Sequence, residues 1–315
     1  MAPSTTGSKL FDLEQREKVG PDDVTVVIPT LNEAEGIGNV IDDLRREGFA
    51  NILVVDGRST DGTAQIASDK GAFVVLQHGT GKAGAIRTAL DIVSTPYMAV
   101  MDGDCTYHAS DLRNLLPYAK DYVEVIGSRL RGRENIPRIN RLGNWIVSRA
   151  FKLLYSCPVS DVLSGMYLVR TDILKSQELS SQSFDIEVEI ASTMASSGKV
   201  TEVPIQYGSR QGKRKLGSRH GFRILGTLFW MTYYENPMVL FGVLSSILAA
   251  PALGLLGWVA FEAITSGVFH SAFALFGVML LLLASQGIAV ALMSLVTKRS
   301  ELRLRRAINA RGVPI

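Results

Sequence analysis

The chain reads as an α/β domain built on a mostly parallel sheet, followed by a two-helix transmembrane hairpin. Two patterns predict this. From residue 24 to about residue 126, short apolar runs alternate with segments of helical periodicity. Strands that alternate with helices in this way form a mostly parallel sheet covered on both faces. Further along, no formally charged residue occurs between Glu235 and Glu262, or from Ala263 through Thr297. A bilayer core of about 30 Å needs roughly 20 helical residues, so each stretch is long enough to cross it.

The elements follow in order. Residues 24–28, 52–55, 73–76, 97–101 and 122–126 are runs expected to form buried strands. Ile37, Val40, Ile41 and Leu44 recur at helical spacing after the first, and Ile86, Ala89, Leu90 and Val93 before the fourth. Three polar segments, 29–33, 56–63 and 102–106, fall at strand ends. In an open α/β sheet ligands bind beyond the carboxyl ends of the strands. Residues 127–210 are expected to be a less regular α+β extension, with helices near 140–154 and 184–197 and strands near 165–169 and 200–207. The division expected is a polar segment at 1–22, the α/β domain at 23–216, an interfacial amphipathic helix at 217–236, the two membrane helices at 237–297 and a basic tail at 298–315. The apolar residues Phe222, Leu225, Leu228, Phe229 and Trp230 suit that interfacial position.

The formal net charge is only +3, which offers no polycationic surface for nucleic acid. Its distribution says more. No acidic residue lies between Glu202 and Glu235, where Arg210, Lys213, Arg214, Lys215, Arg219 and Arg223 all fall. Arg129, Arg131, Arg133, Arg138 and Arg141 form a second cluster interrupted only by Glu134. The loop between the apolar stretches has no Lys or Arg, while basic residues flank their outer ends, so both the large domain and the tail are expected in the cytoplasm. The two cysteines, Cys105 and Cys157, have no zinc-site spacing, and a reduced cytosolic face is the simplest expectation. The first twenty residues lack the apolar core of a signal peptide.

Asp102, Gly103 and Asp104 end an apolar strand. Two carboxylates so placed suit one hard divalent cation, Mg²⁺ or Mn²⁺, which can in turn clamp a diphosphate. Asp56, ending its own strand, is placed to accept from a nucleobase or ribose. Lys82 opens a helix after glycines, where it could meet a phosphate. Glu33 either caps its helix or faces the ligand.

The strings Val26-Val27-Ile28-Pro29-Thr30-Leu31-Asn32-Glu33 and Val54-Val55-Asp56-Gly57-Arg58-Ser59-Thr60-Asp61-Gly62-Thr63 are followed by Gly81-Lys82, Asp102-Gly103-Asp104 and Gly127-Ser128-Arg129. In that order and spacing they resemble glycosyltransferase family 2 over nearly all of residues 24–216. Within the family, Gly212-Lys213-Arg214-Lys215-Leu216 is similar to the Gly-x-Ser-Lys-Leu segment of dolichyl-phosphate sugar synthases, with Arg214 where Ser is usual. Gly57 stands where the family has a second Asp, and Thr106 where it has Gln. These departures, with Arg141-Leu142-Gly143-Asn144 and Asn236-Pro237, look most like the archaeal dolichyl-phosphate hexosyltransferases of N-glycosylation.

The resemblance implies a GT-A (Rossmann-like) fold and inverting transfer of a hexose from a nucleotide diphosphate sugar to dolichyl or polyprenyl phosphate. It implies a donor site of Pro29, Leu31, Glu33, Val55, Asp56, Gly57, Lys82, Asp102, Gly103 and Asp104. Asp102, Asp104 and Thr106 would hold the metal, and Arg129, Arg138, Arg141, Ser148 and Lys215 the lipid phosphate. Asp104, Arg129 and Arg210 would be catalytic. The expected partners are the nucleotide sugar, the lipid phosphate and a bilayer, with room for a homo-oligomer. Asp185, Glu187 and Glu189 share one expected helix, as a possible base, a sugar contact or packing. A polysaccharide synthase of the same family would carry Gln-x-x-Arg-Trp, which does not occur here. A catalytically silent membrane scaffold would not need the acidic triplet.

Overall fold

The computed structural model describes residues 18–155, 157–177, 179, 186–210 and 237–310. The chain divides into two compact units, 1–224 and 225–315.

The first unit is built on β1 (Val24–Thr30), whose Val-Thr-Val-Val-Ile-Pro-Thr sequence packs on both faces of the sheet. β2 (Asn51–Asp56) and β4 (Tyr97–Val100) flank it in parallel, and β3 (Phe73–Leu76) closes that edge beyond β2. Between the strands run α1 (Ile37–Arg46), α2 (Thr63–Asp69), α3 (Gly81–Ile92) and, after β4, α4 (Ala109–Leu115). The predicted stripe on α1 is its buried face: Ile37, Val40, Ile41 and Leu44 all pack into the core with Val26, Ile28 and Phe49.

The helices and strands expected in residues 127–210 are present, and they are more regular than an extension: β5 (Glu124–Arg131), β6 (Tyr167–Arg170) and β7 (Val200–Gln206) complete a single seven-stranded sheet. Its order is β3-β2-β1-β4-β6-β5-β7. β6 runs antiparallel between β4 and β5, pairing Met98 with Val169 and Val125 with Leu168. Buried Tyr167, Leu168 and Val169 suit this interior place, which has a neighbouring strand on each side. α5 (Arg138–Tyr155), α6 (Thr171–Lys175) and α7 (Ile186–Ser197) lie between these strands in sequence.

The second unit consists of α8 (Pro237–Thr265) and α9 (Ser271–Ala310), packed against one another. Phe241–Thr265 and Ser271–Ser294 are each long and apolar enough to cross a membrane. α9 continues through residues expected as a tail, since Lys298 to Arg306 are mostly strong helix formers with no Gly or Pro among them. Gly277 and Gly287 let the pair approach closely: a Cβ on Gly277 would lie 2.8 Å from Leu256 Cγ, and one on Gly287 would meet the Ser245 side chain. The expected interfacial helix at 217–236 lies outside the described residues.

Candidate active site

The loops after β1 and β2 are stitched together by side chains reading backbone. Asn32, held at φ 51°, a conformation asparagine tolerates, donates its N–H to Ser59 Oγ at 2.8 Å and accepts Thr60 N–H on Oδ1 at 2.8 Å. Glu33 N–H donates to Thr63 Oγ1 at 2.9 Å, and Ala34 N–H to Asp61 Oδ2 at 3.0 Å. Asp56, almost fully buried, accepts Ser59 N–H at 2.9 Å and the Ser59 hydroxyl at 2.5 Å. Its carboxylate is thus fixed at the end of β2. Gly57 donates to Thr30 O at 2.8 Å, and a Cβ there would lie 3.1 Å from that oxygen. This contact makes a second Asp at 57 a tight fit.

The Asp102–Asp104 turn follows β4. It is crowded from two sides: a Cβ on Gly36 would lie 2.8 Å from Gly103 O, and a Cβ on Gly165 would clash with the Asp102 carboxylate. The start of α1 and the approach to β6 can therefore pass this close only as glycine. Lys82, mostly buried at the start of α3, donates to Asp102 Oδ1 at 2.8 Å and forms an ion pair with Glu187 Oε1 of α7 at 2.8 Å. Burial works against its charge, but Asp102 and Glu187 push its pKa well above the ordinary lysine value. Arg210, beyond β7, donates to Glu33 Oε1 at 2.6 Å and lies 3.3 Å from Asp104 Oδ2. Burial and the neighbouring Asp102 raise the Asp104 pKa, opposed by hydrogen bonds from Thr106 and by Arg210.

Six charged side chains from five places in the sequence thus converge on one edge. Four carboxylates (Glu33, Asp102, Asp104, Glu187) face two cations (Lys82, Arg210), leaving a formal charge of −2. Among the described residues no third His, Cys, Asp or Glu joins the aspartates as a metal cluster. The donor set still fits Mg²⁺ or Mn²⁺, which are ordinarily held by one or two carboxylates together with substrate phosphates and water.

Several expected site residues are placed differently. Thr106 is not set as a third metal ligand: its buried hydroxyl donates to Asp104 Oδ1 at 2.5 Å and its N–H to the same atom at 3.1 Å, so it orients the aspartate. Arg129 does not present its fork to a phosphate. Nε donates to Asp161 Oδ2 at 2.7 Å, and Nη2 to Asp161 Oδ1 at 2.6 Å and to Leu163 O at 3.0 Å. Its guanidinium carbon also lies 5.5 Å from the centroid of the Tyr207 ring. Burial favours a neutral Asp161, but Arg129 overrides it and holds that carboxyl below its ordinary pKa. Ser148 is buried on α5, where its hydroxyl accepts Val162 N–H at 3.1 Å. Val55 is fully buried in β2 and paired on both sides, so it supports Asp56 rather than facing a ligand. Pro29 is half-buried in β1, and Leu31 is 44% exposed beside it. Arg138 is exposed and Arg141 half-buried on α5. Lys215 and Asp185 lie outside the described residues.

Asp161 carries no expectation from the sequence, and Glu187, expected as a possible base, a sugar contact or packing, is paired with Lys82. Neither carries a sequence signal beyond being acidic, because their partners come from distant strands and helices.

A GT-A-type sheet with an acidic turn after its fourth strand and cations reaching in from α3 and beyond β7 is the arrangement of a glycosyltransferase. The comparisons agree. Residues 25–176 match the family described as glycosyl transferase family 2. Glycosyltransferase AglJ of Haloferax volcanii is 39% identical over 277 residues, spanning 83% of this chain and 91% of that protein. A dolichyl-phosphate hexose transferase of the same organism is 34% identical, over 65% of this chain and 91% of the relative. The protein belongs to glycosyl transferase family 2. Its fold is shared with glucosyl-3-phosphoglycerate synthase from Mycobacterium tuberculosis. The phosphoglyceric acid complex of that enzyme superposes with a TM-score of 0.57 at 21% identity, over 73% of this chain and 85% of that one. Another of its structures, with a TM-score of 0.56, holds Mn²⁺, UDP-glucose and phosphoglyceric acid.

Proposed function

We propose that this enzyme transfers a hexose from a nucleotide diphosphate sugar to dolichyl or polyprenyl phosphate, with inversion and with a divalent cation. The observation that carries this reading is the convergence of Asp102, Asp104, Lys82 and Arg210 in a chain that also has two membrane-length helices. The likeness to a relative named dolichyl-phosphate hexose transferase supports the acceptor class.

Asp102 and Asp104 would hold Mg²⁺ or Mn²⁺, which when bound neutralises the diphosphate and makes it a better leaving group. The excess charge of −2 in this cluster equals what one such ion neutralises. Lys82 and Arg210 are the cations that would stabilise charge on the departing diphosphate, and Asp56 the group that would accept from ribose or base. A lipid monophosphate has a second pKa of roughly 6 by comparison with phosphoserine, so it arrives largely dianionic at neutral pH. Its oxygen forms the new bond to the anomeric carbon as the bond to the β-phosphate breaks, and the nucleoside diphosphate leaves with that electron pair. No proton has to be removed, in keeping with a Glu187 whose carboxylate is tied to Lys82. Arg138 and Arg141, together with Lys215, would guide the acceptor phosphate, Arg being suited to forked contact. With an Arg- and Lys-free connection and basic flanks, the hairpin would leave both chain ends in the cytoplasm.

The test is cation dependence read in two ways. Chelator should abolish transfer and Mg²⁺ or Mn²⁺ restore it. Thr106→Val should weaken Mn²⁺ binding measured by electron paramagnetic resonance by roughly 10- to 100-fold, the usual cost of removing a group that orients a ligand. Full transfer in chelator would defeat the proposal.

A further inference from the structure

We propose that the face of α9 turned away from α8 is a self-association surface, on which a second copy of this chain docks with Gln286 bonded to Gln286. This rests on the reading that α8 and α9 cross a bilayer. The row of α9 that meets α8 is made of small residues: Gly277, Ala284 and Ala291 are buried at intervals of seven. The opposite row is Leu275, Met279, Leu282, Gln286, Ala289 and Met293, spaced alternately four and three residues apart, and all six are exposed. That alternation is the seam along which two helices pack over their length.

Gln286 is the polar exception on this row. Hydroxyls in the two spans bond within their own helix: Ser245 donates to Phe241 O at 2.6 Å, Thr265 to Phe261 O at 2.8 Å and Ser285 to Leu282 O at 2.8 Å. The Gln286 carboxamide has no such partner among the described residues. It lies eight residues before Ser294, the end of the apolar span, or about 12 Å at 1.5 Å per residue. That is too deep for its side chain to reach the headgroups, and a carboxamide left unbonded in hydrocarbon is costly. Depth and symmetry identify what bonds it. Copies of one chain insert with the same orientation, so two α9 helices meeting across a twofold axis along the bilayer normal bring their Gln286 side chains to one level. A carboxamide offers N–H donors and a carbonyl acceptor, so the two bond each other reciprocally. Lipid has no polar group at that depth, and an unrelated helix would need its own polar side chain at the matching level. The surface is distinct from the site above, none of whose residues lies on α9.

The experiment uses the full chain with Cys105→Ser/Cys157→Ser, purified and reconstituted in phosphatidylcholine vesicles. Leu282, 58% exposed, lies on the surface; Leu283, 51% exposed at nearly the same depth, is turned about 100° away from it. On mild oxidation at low protein density, Leu282→Cys should give a disulfide-linked dimer and Leu283→Cys far less. Energy transfer between donor- and acceptor-labelled copies, read against the protein-to-lipid ratio, gives the association constant. Gln286→Leu should weaken it roughly three- to thirtyfold, the range for one hydrogen bond between membrane helices. Gln286→Asn, which keeps the carboxamide, should weaken it less. Equal cross-linking at 282 and 283, or association unchanged by Gln286→Leu, would overturn the proposal. So would a parent chain that does not associate, which leaves the face to lipid or to a different membrane protein. Carbonate extraction separates the two claims. Protein that stays with the vesicles yet does not associate refutes the dimer alone, whereas protein washed off by carbonate shows that the helices do not span, and the surface fails with them.

Discussion

Arg129 shows how far a residue's role depends on its neighbours. As part of a basic cluster it suggested phosphate binding, yet its fork closes on Asp161, with both groups buried. Removing one partner leaves the other charged and unpaired, which typically costs about 3–5 kcal/mol. Arg129→Ala should therefore lower the thermal midpoint of the detergent-solubilised protein markedly. Arg129→Met/Asp161→Leu should recover much of the loss, because apolar replacement of a buried pair is often near neutral. An Arg129→Ala variant that melts like the parent and loses only transfer would return this arginine to the acceptor site. Glu124 makes a second prediction at this scale. It is buried on β5, its Oε2 has no partner among the described residues, and burial pushes its pKa to about 8. The folded protein then holds a proton that the unfolded chain releases above about 4.5. Stability from this group is full below that pH and is lost as pH rises toward 8, by a few kcal/mol at most. Glu124→Gln should flatten the fall in melting temperature between pH 5 and pH 8; an unchanged slope would count against a protonated Glu124.

At the scale of elements, the first five strands and the two apolar helices were legible because their signals are local: unbroken apolar runs, helical spacing and charge-free length. The acidic turn was legible for the same reason, lying directly after β4. The continuity of the sheet beyond residue 127 was not, since β6 enters antiparallel between β4 and β5 and nothing local announces which strands it will join. That insertion creates what sequence could not supply. It brings the segment before β6, with Asp161 and Gly165, against Arg129 and Asp102. The pairing of Lys82 with Glu187 likewise needs the starts of α3 and α7 brought together. The hairpin offers its own check. A Cβ on Gly287 would lie 3.6 Å from Ser245 Cβ, inside the range that a disulfide spans. In a background with Cys105→Ser and Cys157→Ser, the pair Ser245→Cys/Gly287→Cys should cross-link on mild oxidation. Ser246→Cys/Gly287→Cys, turned about 100° around the helix, should not. Equal cross-linking of both pairs would contradict the packing of α8 on α9.

For the whole molecule, the family is established by the relatives, while donor, acceptor and orientation are what the site and the hairpin together suggest. On the proposed reading a soluble nucleotide sugar and a membrane-bound phosphate would meet at one charged edge, and the chain holds both an acidic turn suited to the former and membrane-length helices suited to the latter. The claim most exposed to refutation is that the nucleophile arrives already ionised. Its most direct measurement is a single-turnover assay of the purified protein with a panel of labelled nucleotide sugars and Mg²⁺, offering polyprenyl phosphate in one series and the corresponding free prenol in the other, with the extracted lipid weighed by mass spectrometry. The account predicts a hexosyl phosphoprenol from one of the donors, formed with Glu187→Gln as well as with the parent, though more slowly because Lys82 loses an anchor, and no product from free prenol at any concentration. A hexosyl prenol lacking phosphate, or transfer abolished by Glu187→Gln in a protein that still folds and binds nucleotide, would show that a general base is required and would contradict it.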